Sequence, residues 1–269
     1  MTPDEVRRLV EDYPSAAQFV KRLVGSNGAI HGEFRYCLWI PDDCARQALA
    51  IEPIRERVEL VRTHRLGSSR DTTNELAETP WRFGEVRYAG GLALVVPRHS
   101  AEERPYLPFA IVDGRTVVDD SAISLPNYRV YEIAFFASRL HLAWVAAVCG
   151  KLELRYRYSN TLGWNTFPVP TLTEQNKADL TRCAEDILLA REANFPATIA
   201  DLYDPEAMPD DLRRAHERND EVLERIYIGR RFKNDTERLQ KLFDMYTKMT
   251  AAKPTAVKRT ARKRGQAVS

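Results

Sequence analysis

The sequence has few cysteines and no long apolar run. Its four cysteines among 269 residues are too widely spaced for paired metal ligands and too few for a disulfide framework, so we expect buried thiols. No stretch approaches the roughly 20 apolar residues of a membrane helix, and Met1–Arg8 mixes acid and base where a signal peptide would be basic and then apolar. With 44% hydrophobic and 29% charged residues, the composition predicts a globular cytoplasmic protein.

Most sequence motifs of catalysis are also missing. The chain contains no Gly-x-Gly-x-x-Gly, no phosphate-binding loop, no Gly-x-Ser-x-Gly and no Glu-x-Lys, and its 5 histidines never occur four residues apart. Asn165-Thr-Phe-Pro168 loosely resembles the Asn-Pro-Pro-Tyr loop of adenine methyltransferases but lacks the paired prolines. We therefore expect no catalytic residues, no bound cofactor and no metal site in this chain.

Charge is nearly balanced, with 40 Lys and Arg against 38 Asp and Glu, but it is unevenly distributed. Residues 251–269 contain six basic residues and no acidic one, which leaves the rest of the chain with a formal net charge of −4. Nucleic-acid binding would therefore need a local basic patch. The tail itself predicts disorder, and it could either solubilise the protein or touch phosphates.

The N-terminal pattern is mainly helical. Apolar spacing over Pro3–Leu23 predicts two short helices broken at Pro14, and the aromatic and β-branched run Phe34–Ile40 predicts a strand. Pro53–Leu66 predicts an amphipathic helix with a basic exposed side.

The centre of the chain predicts an antiparallel sheet, and the end predicts helices. Four short β runs are separated by glycine and proline: Gly84–Tyr88, Leu92–Val96, Leu107–Val112 and Thr116–Val118. An apolar helix follows over Tyr128–Cys149 and stops at Gly150. Beyond Pro170 the pattern is helical, with runs at Thr173–Ala193, Asp210–Tyr227 and Asp235–Met249. We therefore predict an α+β fold with a mixed or antiparallel sheet in 1–170, an all-helical segment in 171–250 and a disordered basic tail in 251–269.

Strict alternation in Lys151–Tyr158 carries the first functional indication. On a single strand, Glu153, Arg155 and Arg157 would share one face and the apolar residues the other. Arginine can bind guanine and a carboxylate can accept from the cytosine amino group, so this face could read base edges in the major groove. The alternative is a solvent-facing strand whose charges pair with each other.

Two other groups of polar residues are ambiguous in the same way. Arg62 and Arg65 on the basic helix could contact phosphates or only solvate the helix. Arg98, beside His99, and Asp120 follow predicted strands, where side chains either bind ligands or only form turns.

Several segments, taken in order along the chain, resemble the C-terminal part of the MmeI-like restriction-modification enzymes. They are Arg35-Tyr-Cys-Leu-Trp-Ile40, Ile54-Arg-Glu-Arg-Val-Glu59, Leu66-Gly-Ser-Ser-Arg70, Ser100-Ala-Glu-Glu-Arg-Pro-Tyr-Leu-Pro108, His141-Leu-Ala-Trp-Val-Ala-Ala-Val-Cys-Gly-Lys-Leu152, Arg157-Tyr-Ser-Asn-Thr161, Asn165-Thr-Phe-Pro168, Leu202-Tyr-Asp-Pro205 and Met208-Pro-Asp-Asp-Leu-Arg-Arg-Ala-His216. They span residues from about 10 to 250. Together they are highly specific, although each alone is weak.

This resemblance implies a function. Such enzymes join a nuclease, an adenine-N6 methyltransferase that uses S-adenosylmethionine, a target recognition domain and a C-terminal helical segment, and this chain resembles the last two. Paired positions read bases in the family, and the resemblance places one pair at Glu153 and Arg155, with Arg157 beside them. It places a second pair at Arg98 and Asp120.

The leading hypothesis is a sequence-specific double-stranded DNA recognition module of such a methyltransferase, without catalytic domains of its own. A second hypothesis is part of an active split methyltransferase whose catalytic chain, with its S-adenosylmethionine, is encoded separately. A third is an unrelated α+β protein-interaction domain. Salt-dependent DNA binding would separate the first two from the third.

Overall fold

The computed structural model describes residues 1–85 and 90–251. The predicted strand at Gly84–Tyr88, apart from its first two residues, and the basic tail after residue 251 lie outside these ranges. Within them, no helix has the length and apolarity needed to cross a membrane.

The N-terminal third combines helices with two strands. Helix α1 (Pro3–Asp12) begins with a capping box, in which Thr2 and Glu5 each accept a hydrogen bond from the other's backbone N–H. The remaining elements follow in chain order: β1 (Val20–Val24), α2 (Ser26–His31), β2 (Arg35–Leu38), α3 (Ala45–Leu49), α4 (Glu52–Leu66) and α5 (Asp71–Glu75).

The second helix predicted in Pro3–Leu23 is wrong. Pro14–Phe19 forms a 3₁₀ turn, and Val20–Val24 forms β1, which pairs with β2. Val20–Val24 forms a strand because its backbone groups hydrogen-bond to β2 on one side and to the strand Thr116–Val118 on the other. A short isolated helix would be less stable than this pairing. The predicted basic helix is confirmed as α4, which buries Ile54 and Val58.

The strands of the described residues form three small sheets. Their further strands are β3 (Ala93–Pro97), β4 (His99–Ala101), β5 (Ala110–Val112), β6 (Thr116–Val118), β7 (Ala122–Pro126), β8 (Lys151–Leu152) and β9 (Arg155–Arg157). The sheet orders are β2-β1-β6, β5-β3-β7 and β4-β9-β8. Among the described residues, strand pairs are antiparallel except β1 with β6, so the sheet content is mixed.

The predicted apolar helix at Tyr128–Cys149 is two helices, α6 (Val130–Phe136) and α7 (Arg139–Val148). The chain breaks at Ser138, whose hydroxyl accepts a hydrogen bond from the N–H of His141 and so caps α7. Ser138 is a sequence signal for this break, because serine is a favoured N-cap residue. A prediction based on apolar content alone overlooks it.

Helices complete the described chain: α8 (Glu174–Ala193), α9 (Ile199–Leu202), α10 (Asp210–Ile228) and α11 (Asp235–Ala251). One apolar cluster joins Phe135 of α6, Trp144 of α7, Leu180 of α8 and Leu223 of α10, all of them buried. The predicted fold class, an α+β part followed by helices, is confirmed. The boundary at residue 170 stays a prediction.

Candidate nucleic-acid interface

The segment Lys151–Tyr158 forms a tight hairpin. Strands β8 and β9 pair antiparallel, with Lys151 opposite Tyr156 and Leu152 opposite Arg155, so Glu153 and Leu154 form a two-residue turn. Glu153 has a φ of 55°, in the left-handed region that two-residue hairpin turns favour. The predicted single strand is therefore wrong, and Glu153 lies at the hairpin tip instead of in line with Arg155 and Arg157.

Strand β9 also pairs with β4, which places more side chains on its outer face. His99 lies opposite Arg157, and Ala101 lies opposite Arg155. Directly opposite residues share a face, and that face is exposed at both arginines. The other face is turned inward, because Ser100 is buried.

The apolar side of this segment differs from the prediction. Leu152 and Leu154 are 53% and 66% exposed, because they lie at the hairpin tip, beyond the core. Tyr158 alone is fully buried, and its hydroxyl lies 3.1 Å from Nε2 of His141 on α7. Complete burial lowers the pKa of His141 to about 3, so this histidine is neutral. The base of the hairpin is thus fixed to the core while its tip extends into solvent.

Arg98 and Asp120 are brought together, although 22 positions separate them in the chain. Nε of Arg98 donates to the backbone carbonyl of Asp120 over 2.9 Å. The backbone N–H of Tyr158 donates to the carbonyl of Arg98 over 2.8 Å. The predicted Arg98–Asp120 pair therefore lies directly beside the hairpin that carries Arg155 and Arg157.

The turn that presents Asp120 is held tightly. Oδ1 of Asp119 accepts from the N–H of Ser121 over 2.9 Å, and its Oδ2 accepts from Arg35 over 2.8 Å. A Cβ at Gly25 would lie 2.5 Å from the Ser121 hydroxyl and 2.6 Å from the Asp119 carboxylate. A larger residue at position 25 would have to displace the Ser121 and Asp119 side chains, so glycine favours this close approach.

Four of the predicted base-contact residues have unpaired side chains. Within residues 1–85 and 90–251, the side chains of Glu153, Arg155, Arg157 and Asp120 make no hydrogen bond or ion pair. The alternative interpretation required the charges of this segment to pair with each other, and these three charged side chains, Glu153, Arg155 and Arg157, do not. The neighbouring Lys151 does have a partner, the carboxylate of Glu102.

The two arginines predicted to touch phosphates differ from each other. Arg65 donates to the backbone carbonyls of Leu76 (2.8 Å), Thr79 (3.3 Å) and Arg82 (2.7 Å). These bonds use its guanidinium to join α4 to the following loop, a structural role that the sequence did not predict. Arg62 is half exposed and lies 3.7 Å from Glu59, a weak surface pair.

Sequence reasoning missed a buried polar group on α10. His216 and Asn219 accompany Asp220 on one helix face, and all three are buried. Asn219 donates to the carbonyl of Ala134 over 2.8 Å, and Oδ1 of Asp220 accepts from the N–H of Arg139 over 2.8 Å. They hold the break between α6 and α7. Polar residues spaced three and four apart on a helix are the signal that could have revealed them.

Burial dominates the electrostatics of this group. It raises the pKa of Asp220 to about 7, even though the bonds from Arg139 and from the Tyr106 hydroxyl at 2.9 Å favour the charged form. The group lies in the core between helices, so it serves packing and not the exposed hairpin face.

Comparisons with known proteins identify relatives of this chain. A family model described as the MmeI target recognition domain matches residues 1–171, and one described as the MmeI C-terminal domain matches residues 172–253. DNA methyltransferase A of Bacillus subtilis (strain 168) is 35% identical over 249 residues, which are 93% of this chain and 28% of that protein. The solved structure of the Type IIL restriction-modification enzyme MmeI in complex with DNA has a TM-score of 0.88 and 30% identity, and the match covers 93% of this chain and 34% of that one.

Proposed function

This chain belongs to the MmeI family of target recognition and C-terminal domains, and we propose that it is the sequence-specific double-stranded DNA recognition module of a restriction-modification adenine-N6 DNA methyltransferase. It spans 28% of the curated relative and 34% of the solved one. The chain therefore corresponds to only a part of each of these longer proteins. We also propose a cytoplasmic location, where the DNA of a bacterial restriction-modification system would be found.

The unpaired arginine face of β9 is the observation that carries this proposal. Arg155 and Arg157 are exposed, two positions apart, on a strand hydrogen-bonded on both sides. Guanine offers O6 and N7 to a guanidinium in the major groove, which is wide enough for a β-ribbon. A rigid strand with free guanidinium groups suits base reading better than a flexible loop, because less side-chain and backbone freedom is lost on binding.

Glu153 and Arg155 form the first proposed reading pair. Glu153 lies in the hairpin turn, and Arg155, two positions later, is the first residue of β9. Neither side chain has an intramolecular partner within the described residues. The Glu153 carboxylate can accept from a cytosine amino group while Arg155 donates to the paired guanine. Together they would specify one C·G base pair.

Arg98 and Asp120 form the second proposed pair. The bond from Nε of Arg98 to the Asp120 carbonyl fixes the guanidinium and leaves its two terminal nitrogens unbonded within the described ranges. The exposed Asp120 carboxylate lies on the same turn. We propose that Arg62 contacts a DNA phosphate. Arg65 instead stabilises the fold, because its guanidinium donates three hydrogen bonds to backbone carbonyls.

Catalysis, in this proposal, comes from elsewhere. S-adenosylmethionine would be bound by a methyltransferase domain, and this chain would supply specificity to it, either within one longer polypeptide or across a contact with a separate chain. The purified chain should transfer no labelled methyl group from S-adenosylmethionine to DNA. Transfer without a partner would contradict this assignment.

The helices after residue 170 are proposed to support the reading surface without touching bases. Helix α10 holds the junction of α6 and α7 through Asn219 and Asp220. Helix α7 in turn holds Tyr158 at the end of β9. Hydrogen bonds thus connect α10 to the junction of α6 and α7, and α7 to the base of the hairpin.

Equilibrium binding of the purified chain to random-sequence duplex DNA at several salt concentrations tests the proposal. We expect binding that weakens steeply with salt, because each neutralised phosphate contributes about 0.9 to the slope of log affinity against log salt. The double variant Arg155→Ala with Arg157→Ala, which removes two positive charges, should retain part of this non-specific binding. Absence of duplex binding even at low salt would instead favour a protein-interaction domain.

A further inference from the structure

His99 lies on the reading face but belongs to neither proposed pair. Strand register places it directly opposite Arg157, and the alternation of β4 turns its neighbour Ser100 inward. The His99 side chain therefore lies on the outer face of the β4-β9-β8 sheet, in the row next to that of Arg155 and Ala101.

The imidazole is free to bind a ligand. His99 is exposed, and its ring makes no hydrogen bond, ion pair or ring contact among the described residues. In the part of the chain that the structure describes, the side chain of Arg157 across the strand pair has no partner either, and no carboxylate is bonded to His99 or Arg157. Two neighbouring nitrogen donors thus face outward from a fixed backbone, an arrangement that an acceptor-rich surface would complement.

We propose that His99 is a specificity-determining residue whose ring N–H donates to the N7 atom of a purine, in the base pair stacked on the one that Arg157 contacts. This inference rests on the proposed DNA-reading function. Side chains directly opposite in an antiparallel pair have Cβ atoms about 5 Å apart. Bases on one strand are spaced by about 3.4 Å, so the two side chains reach neighbouring base pairs more readily than the same base.

The chemistry of the ring sets the preference. One ring N–H directed at N7 donates a single hydrogen bond there, whereas the guanidinium of arginine can donate two to guanine. Adenine and guanine both present N7 in the major groove, and pyrimidines do not. His99 should therefore distinguish purine from pyrimidine at its position without distinguishing adenine from guanine.

The test measures the affinity of the full purified chain for the duplex it prefers and for every single base-pair change in it. The wild type should lose about 3- to 10-fold in affinity when one purine becomes a pyrimidine, as expected for one hydrogen bond. His99→Ala should abolish that discrimination alone, and Arg157→Ala should abolish discrimination at the adjacent base pair. His64→Ala, which removes an exposed histidine from α4, is the matched control and should keep the full preference.

Two results would overturn the inference while leaving the proposed function intact. In one, His99→Ala keeps every preference of the wild type. In the other, it weakens binding to all duplexes alike, which would make His99 a phosphate contact. A wild-type chain that binds DNA with no base preference would instead contradict the proposed function itself, and the role of His99 with it.

Discussion

Replacing Arg155 with alanine should abolish discrimination at one base pair without disturbing the fold. The guanidinium is exposed and has no intramolecular partner within the described residues, so its removal breaks no bond of the folded state. Backbone pairing of β9 with β4 and β8 does not involve the side chain. The free energy of unfolding should therefore change by no more than about 0.5 kcal/mol.

The expected loss follows from the bond geometry. A bidentate arginine–guanine contact contributes about 1 to 3 kcal/mol of discrimination against the wrong base, or roughly 5- to 150-fold in relative affinity. Competition binding between the preferred duplex and its single base-pair variants measures this directly. Thermal unfolding of the same samples checks that the variant is folded.

Arg218→Ala provides the matched control. Arg218 lies on α10, is 59% exposed and is 3.6 Å from Asp186, so its substitution removes the same charge from a helix proposed not to read bases. It should leave the sequence preference unchanged. If Arg155→Ala weakened all duplexes equally and kept the preference, Arg155 would be a phosphate contact, and the base-reading argument would be refuted.

Three further predictions concern other residues. Arg62→Ala should weaken binding to all duplexes alike and lower the salt slope by about 0.9, as a lost phosphate contact requires; an unchanged slope in a salt titration would contradict that role. Glu153→Gly should raise the free energy of unfolding by up to about 1 kcal/mol in urea titrations, because φ at this position is positive, while discrimination at its base pair falls; a less stable variant would count against strain at the hairpin tip. The pKa of Asp220 is raised from 3.8 to about 7 by burial, so the folded state holds a proton that the unfolded chain releases, and stability is lost as pH rises between these values. Asp220→Asn should remove this loss, and a variant with the same pH dependence as the wild type would show that another group causes it.

Local sequence patterns predicted α4 well, because its apolar positions recur at helical spacing and proline stands in its first turn. They failed at the hairpin for an identifiable reason. Apolar and charged residues continue to alternate through Glu153 and Leu154, and no glycine or asparagine marks the turn. Only the pairing of β8 with β9 reveals that the segment folds back on itself.

Long-range contacts explain most of what sequence could not supply. The proximity of Arg98 to Asp120 depends on a turn packed against Gly25, and that of Arg98 to Tyr158 on the pairing of β4 with β9. Neither contact has a local signal. The family resemblance pointed to Arg98 and Asp120 as a pair because related proteins share a three-dimensional arrangement. The spacing of residues along the sequence carries no such information.

Selection of bound duplexes from a random pool by the purified chain tests the central claim most directly. The account predicts enrichment of one short sequence that contains a C·G base pair, and loss of the preference at that base pair alone when the selection is repeated with Arg155→Ala. Recovery of a pool without any enriched sequence, from a chain that is folded and binds DNA, would contradict the claim that this protein reads bases.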